Sequence, residues 1–65
     1  MKTTRTKYGW DLHNDRGRYV GYLNEYGPGE FVAGVDLGKG LGASAVFTSY
    51  GAAYDWIEKK ARQQW

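Results

Sequence analysis

The sequence predicts an α+β fold: a three-stranded antiparallel meander, extended by a candidate short fourth strand, with one C-terminal helix packed on one face. Two observations predict it. Apolar residues recur with period two in Tyr8-Gly9-Trp10-Asp11-Leu12, Tyr19-Val20-Gly21-Tyr22-Leu23 and Phe31-Val32-Ala33-Gly34-Val35, with turn residues between them. That alternation marks half-buried strands. Beyond residue 50 the spacing changes to three and four through Ala52, Ala53, Trp56, Ile57, Ala61 and Trp65, the stripe of an amphipathic helix.

Residues 1–5 read as a flexible polar arm, and 6–65 as one domain. The first strand is expected over 6–13, closed by the turn Asn14-Asp15-Arg16-Gly17, where glycine is free to take positive φ. The second covers 18–24. A second turn, Glu25-Tyr26-Gly27-Pro28-Gly29, holds the single proline where a missing N–H does no harm. The third strand is expected over 30–37, followed by the glycine-rich connection Gly38-Lys39-Gly40-Leu41-Gly42 and the short fourth strand over 43–47. Thr48 or Ser49 caps a helix over 50–64. Asp55 with Lys59 and Glu58 with Arg62 stand four apart in the favourable order.

A four-residue first loop places Leu12 opposite Tyr19, Trp10 opposite Gly21 and Tyr8 opposite Leu23. Continuing the pattern, Leu23 faces Phe31, Gly21 faces Ala33 and Tyr19 faces Val35. All of these share one face, so the expected core has Trp10 lying over Gly21 and Ala33 beneath Trp56 and Ile57. The other face is expected in rows: His13, Arg18 and Asp36; Asp11, Val20 and Gly34; Gly9, Tyr22 and Val32; Lys7, Asn24 and Glu30. One helix cannot cover both faces, so this second face is open.

A chain of 65 residues lies near the lower limit for a core stable without staples. Its aromatic content of 17% supplies large buried areas per residue. Without cysteine there is no disulfide, thiolate metal site or thiol nucleophile. The polar start, Met1-Lys2-Thr3-Thr4-Arg5-Thr6-Lys7, has neither a signal-peptide pattern nor a membrane span, and a cytoplasmic protein is expected. Formal charge is +2, too small for strong electrostatic steering.

No residue constellation points to catalysis. The row His13, Arg18, Asp36 has no nucleophile beside it and reads as a cross-strand ion pair next to an exposed histidine. Gly38-Lys39-Gly40-Leu41-Gly42-Ala43 fits G-x-G-x-x-A, but the strand after it replaces the helix that a dinucleotide site requires. The protein is therefore expected to be non-enzymatic, without cofactor or metal.

Gly29-Glu30-Phe31-Val32-Ala33-Gly34-Val35-Asp36, then Lys39-Gly40, Val46-Phe47-Thr48 and Ala52-Ala53-Tyr54-Asp55, resembles AP2-type DNA-binding domains and the similar integrase amino-terminal domains, over residues 19–61 at most. The resemblance implies a helix on a three-stranded sheet whose open face docks in the DNA major groove. In that family the face is studded with basic residues, whereas the matching positions here hold Glu30, Gly34 and Asp36. The contacts for a DNA partner would be Arg5, Lys7, Arg16, Arg18, Tyr22 and Lys39.

The leading expectation is protein binding. An aromatic and aliphatic centre ringed by mixed charge has the anatomy of an interface, and the expected contacts are Arg18, Val20, Tyr22, Val32, Tyr26 and Trp65. In size and economy the chain is similar to small anti-CRISPR and other anti-defence inhibitors of phages and mobile elements. Such proteins occupy a surface of a nucleic-acid-processing complex. A homodimer hiding Val20, Tyr22 and Val32 in a sheet-to-sheet contact is the further alternative.

Overall fold

A computed structural model describes residues 1–38 and 40–64, with side chains described through Arg62. Five strands precede one helix: β1 (Lys2–Arg5), β2 (Gly9–His13), β3 (Tyr19–Gly27), β4 (Glu30–Gly38), β5 (Leu41–Phe47) and α1 (Tyr50–Gln64). The strands form one antiparallel sheet in chain order, β1-β2-β3-β4-β5, with β1 and β5 at its edges. The fold is α+β as expected, but the sheet has five strands rather than three or four.

The extra strand is the polar arm. Lys2–Arg5 pairs with β2, Thr3 opposite Leu12 and Arg5 opposite Trp10, so the segment expected to be flexible is an edge strand. The expected strand over 6–13 is broken at its start by a tight reversal. Thr6 N–H donates to the Gly9 carbonyl at 2.8 Å, and Gly9 N–H donates to Thr6 Oγ1 at 3.1 Å. Nothing in Lys-Thr-Thr-Arg is buried, so alternation could not announce this strand. Its β-branched threonines were the available signal.

Register departs from expectation through two bulges. Leu12 pairs with Gly21 but His13 pairs with Tyr19, leaving Val20 as the extra residue. Asn14 drives the longer loop: its Oδ1 accepts from Arg16 N–H at 2.9 Å and from Arg18 N–H at 3.0 Å. A bulge turns both of its residues toward one side. Val20 therefore joins Gly21 on the helix side and is fully buried, while Tyr19 is 39% exposed. Upstream of the bulge Trp10 faces Leu23, and Leu23 faces Ala33, a shift of two from the expected pairing. A shift of two keeps Leu12, Leu23, Ala33 and Val35 on the helix side and Asp11, Tyr22 and Val32 on the outer side, as expected.

The second bulge falls at Tyr26, between Glu25 opposite Phe31 and Gly27 opposite Glu30. The turn itself is Pro28-Gly29, with Gly29 at φ 71, the residue chemistry of a type II turn. All seven residues of β5 pair with β4, Phe47 opposite Phe31 through Leu41 opposite Gly38, with a third register shift at Leu37 between Asp36 and Gly38. It is therefore a full strand and not a short addendum.

The core lies between the sheet and α1: Leu12, Val20, Leu23, Ala33, Val35, Ala53, Ile57 and Ala61. Complete burial of Leu12, Val20, Leu23 and Ile57 stabilises the fold by about 1.5–3 kcal/mol for each side chain. The expected Trp10 over Gly21 and Ala33 is not the arrangement. Trp10 is half-buried at the rim, its ring edge-on to Tyr50 at 4.9 Å, and Leu23 takes the central place. Tyr8, also expected in the core, is 58% exposed. Ala52 is exposed, whereas Ala53, Ile57 and Ala61 form the buried stripe of α1. Ser49 caps the helix by accepting from Ala52 N–H at 3.2 Å. The expected pairs Lys59–Asp55 (3.1 Å) and Arg62–Glu58 (3.0 Å) are both present.

Candidate functional site

The sheet face turned away from α1 is the open surface, and strand alternation decides what it carries. Thr4, Asp11, Tyr22, Gly34 and Ser44 form one row, and Gly9, Asn24, Val32 and Val46 the next. At one end Lys2 faces His13 and His13 faces Tyr19, with the His13 and Tyr19 rings edge-on at 5.7 Å. Asp36, opposite Gly42, closes the surface near the β4–β5 turn.

Tyr8, Tyr19, Tyr22 and Tyr26 surround a shallow depression on this face, with Asp11 and Asn24 among them. Three devices place them. The first bulge brings Tyr19 across from the core side. The Thr6–Gly9 reversal carries Tyr8 at its tip, beside Lys7, whose Nζ lies 5.4 Å from the ring centre. Asn24 Nδ2 donates to the Tyr26 hydroxyl at 3.3 Å, tying Tyr26 to the rim.

Tyr22 is set differently. Its ring lies across Gly34 so closely that a Cβ on residue 34 would overlap it. The missing side chain of the glycine makes the seat, and the ring covers the strand that the glycine would otherwise expose. Tyr22 is thus half-buried and pre-positioned at the centre of the face.

Burial raises the Tyr19 phenol above its ordinary value of 10.0, and Asp11, Tyr22 and Asp36 push in the same direction. Tyr54 on α1 is raised too, by burial first and then by Glu58 and Tyr50. A phenol raised in the folded state stabilises the fold below the unfolded value. That contribution is lost as pH climbs through the folded value. Ring-carbon NMR titration of Tyr19 is therefore expected to give a midpoint above 10, moving down toward the ordinary value in Asp11→Asn. A Tyr19 midpoint at or below the ordinary value contradicts this.

The residues singled out from sequence divide sharply. Tyr22, Val32 and Tyr26 do share the open face. Val20 does not: it is fully buried on the α1 side of the sheet, so of the expected trio Val20, Tyr22 and Val32 only the last two lie on the open face. Arg18 lies in the loop before β3, its N–H held by Asn14. Of the basic residues, Lys7 lines the depression, and Arg16 sits in the exposed β2–β3 loop. Arg5 belongs to the opposite side of the sheet, its guanidinium carbon 4.6 Å from the centre of the Trp10 ring. Lys39 and Trp65 lie outside the described residues.

In the expected row His13, Arg18, Asp36 the strand partner of His13 is Tyr19 rather than Arg18, and Asp36 Oδ1 accepts from Gly38 N–H at 2.9 Å. Sequence reasoning missed Tyr8 and Tyr19 as members of the face, and the fifth-strand residue Val46, which is 74% exposed. Among the described residues no helix is long and apolar enough to cross a membrane. Comparison with protein-family models, curated proteins and solved structures finds no match to this chain.

Proposed function

We propose that this protein is a small non-enzymatic binding module that occupies a surface of a larger protein or nucleoprotein complex through its outer sheet face. The observation that carries the proposal is the gathering of four of the six tyrosines on one open face. Tyrosine offers a large amphipathic contact area with few torsions to freeze, which is why it recurs at binding hot spots. Tyr22 is already seated on Gly34, so little side-chain entropy remains to be lost on association. Val32 and Val46 extend the apolar centre, and Lys2, Lys7, Asp11, Glu30 and Asp36 supply a rim of both signs.

That balance favours a protein surface over a nucleic-acid backbone. Phosphate binding draws on clustered cations, and three carboxylates share this face while Arg5 stands on the other. The partner class we propose is a nucleic-acid-processing complex, inhibited by occupation of its surface in the manner of anti-CRISPR-like proteins.

Co-purification against nucleoprotein effector complexes tests this. The expected result is stoichiometric capture of one complex with loss of its nucleic-acid binding or cleavage. Absence of any complex, together with tight binding to duplex DNA that weakens steeply with salt, overturns it in favour of a DNA-binding domain.

A further inference from the structure

The two edges of the sheet are unlike. β1 carries Lys2 and Arg5, the charged kind of edge that resists pairing with another strand. β5 reads Leu-Gly-Ala-Ser-Ala-Val-Phe, seven residues without a charge or a proline. Its Leu41 and Val46 are 65% and 74% exposed. Such an edge offers a row of backbone donors and acceptors with nothing to repel a second strand.

We propose that β5 is a self-pairing edge, joining two copies of this chain antiparallel about a two-fold axis at Ser44. Centred there, Ser44 faces Ser44, Ala43 faces Ala45, Gly42 faces Val46 and Leu41 faces Phe47. It is the one antiparallel register that pairs all seven residues. On the outer face the exposed Val46 meets the smallest possible neighbour. On the helix side Leu41 of the second copy reaches Phe47, which is only half-buried against Trp56 at 5.7 Å. No like charges are brought together. Pairing β5 with the β1 edge of another copy would instead be head-to-tail and open-ended, whereas the two-fold arrangement closes.

Residues opposite each other in an antiparallel pair share a face. Both helices therefore lie on one side of a continuous ten-stranded sheet, and both tyrosine depressions on the other. The dimer presents two copies of the outer face in one direction, which raises avidity for a partner with repeated surfaces. The edge pairing itself uses none of the outer tyrosines and stands or falls independently of the binding proposal.

Sedimentation velocity at about 100 µM, well above a modest dimer Kd of about 1 µM, provides the test. The expected mass is twice 7.4 kDa. Ser44→Lys and Ser44→Glu, each checked by circular dichroism for a retained fold, should sediment as monomers, and their equimolar mixture should restore the dimer. Tyr22→Asp should leave the dimer intact. Ser44→Cys, nearly isosteric, should crosslink through a short bifunctional thiol reagent while Thr3→Cys on β1 does not. A monomeric wild type, a dimer untouched by Ser44→Lys, a charge-swapped mixture that stays monomeric, or an uncrosslinked Ser44→Cys each overturns the proposal.

Discussion

Val20→Lys is expected to abolish cooperative folding, whereas Tyr19→Lys next to it is expected to leave the domain folded. Val20 is fully buried against α1 and Tyr19 is 39% exposed on the other face. An unpaired charge forced into the core costs about 3–5 kcal/mol, the scale seen when a buried charge loses its partner. A domain of this length has roughly 3–10 kcal/mol in total at typical stability per residue. The lysine at 20 therefore removes a large share of that stability or all of it. Tyr19→Lys loses the edge-on contact with His13 and some rim packing, a change of about 1 kcal/mol or less. Urea unfolding of the two variants measures both numbers. If there were no bulge at Val20, the order of the two effects would reverse.

Faces were legible from the sequence because alternation with period two survives a shift of two residues. Leu12, Leu23, Ala33 and Val35 lie inward and Asp11, Tyr22 and Val32 outward, although each is paired two places from where turn lengths suggest. Tyr19 and Val20 were not legible. The bulge that exchanges them depends on Asn14 accepting two backbone N–H bonds. Asn-Asp-Arg-Gly is equally compatible with a shorter loop. α1 was legible to the residue, because its stripe, its Ser49 cap and its i,i+4 ion pairs all point to the same boundaries. β1 was hidden, since an edge strand with no buried side chain leaves no hydrophobic trace. Two members of the tyrosine face, Tyr8 and Tyr19, were missed for these same two reasons.

Gly21→Ala carries the second large effect. A Cβ at residue 21 would overlap the Gly34 carbonyl oxygen and stand 3.1 Å from both Gly34 C and Val35 Cα. All three are backbone atoms of the neighbouring strand, paired on both sides and unable to yield as a flexible side chain would. Relief requires β3 and β4 to separate at the middle of the sheet, above Leu12 and beside Val35. The cost is about 3 kcal/mol, the upper part of the range for overpacking. For a domain of this size that lowers Tm by about 12–24 °C. Gly51→Ala is the matched control: nothing lies within 4 Å of its Cβ position, and in the first turn of α1 alanine should stabilise by about 0.5–1 kcal/mol. One substitution type thus has opposite signs at two positions, and thermal unfolding followed by circular dichroism distinguishes them.

Both substitutions probe the scaffold; the tyrosine face it holds is the claim on which function depends. Calorimetric titration of the captured partner with wild type, Tyr22→Ala and Lys59→Ala compares the centre of that face with an exposed helix position, each variant first verified as folded. Loss of a central aromatic anchor costs about 2 kcal/mol or more, so Tyr22→Ala should weaken binding by at least about thirtyfold while Lys59→Ala stays within about threefold of wild type. Unchanged affinity in Tyr22→Ala, with binding lost in Lys59→Ala, would place the working surface on the helix and contradict the account.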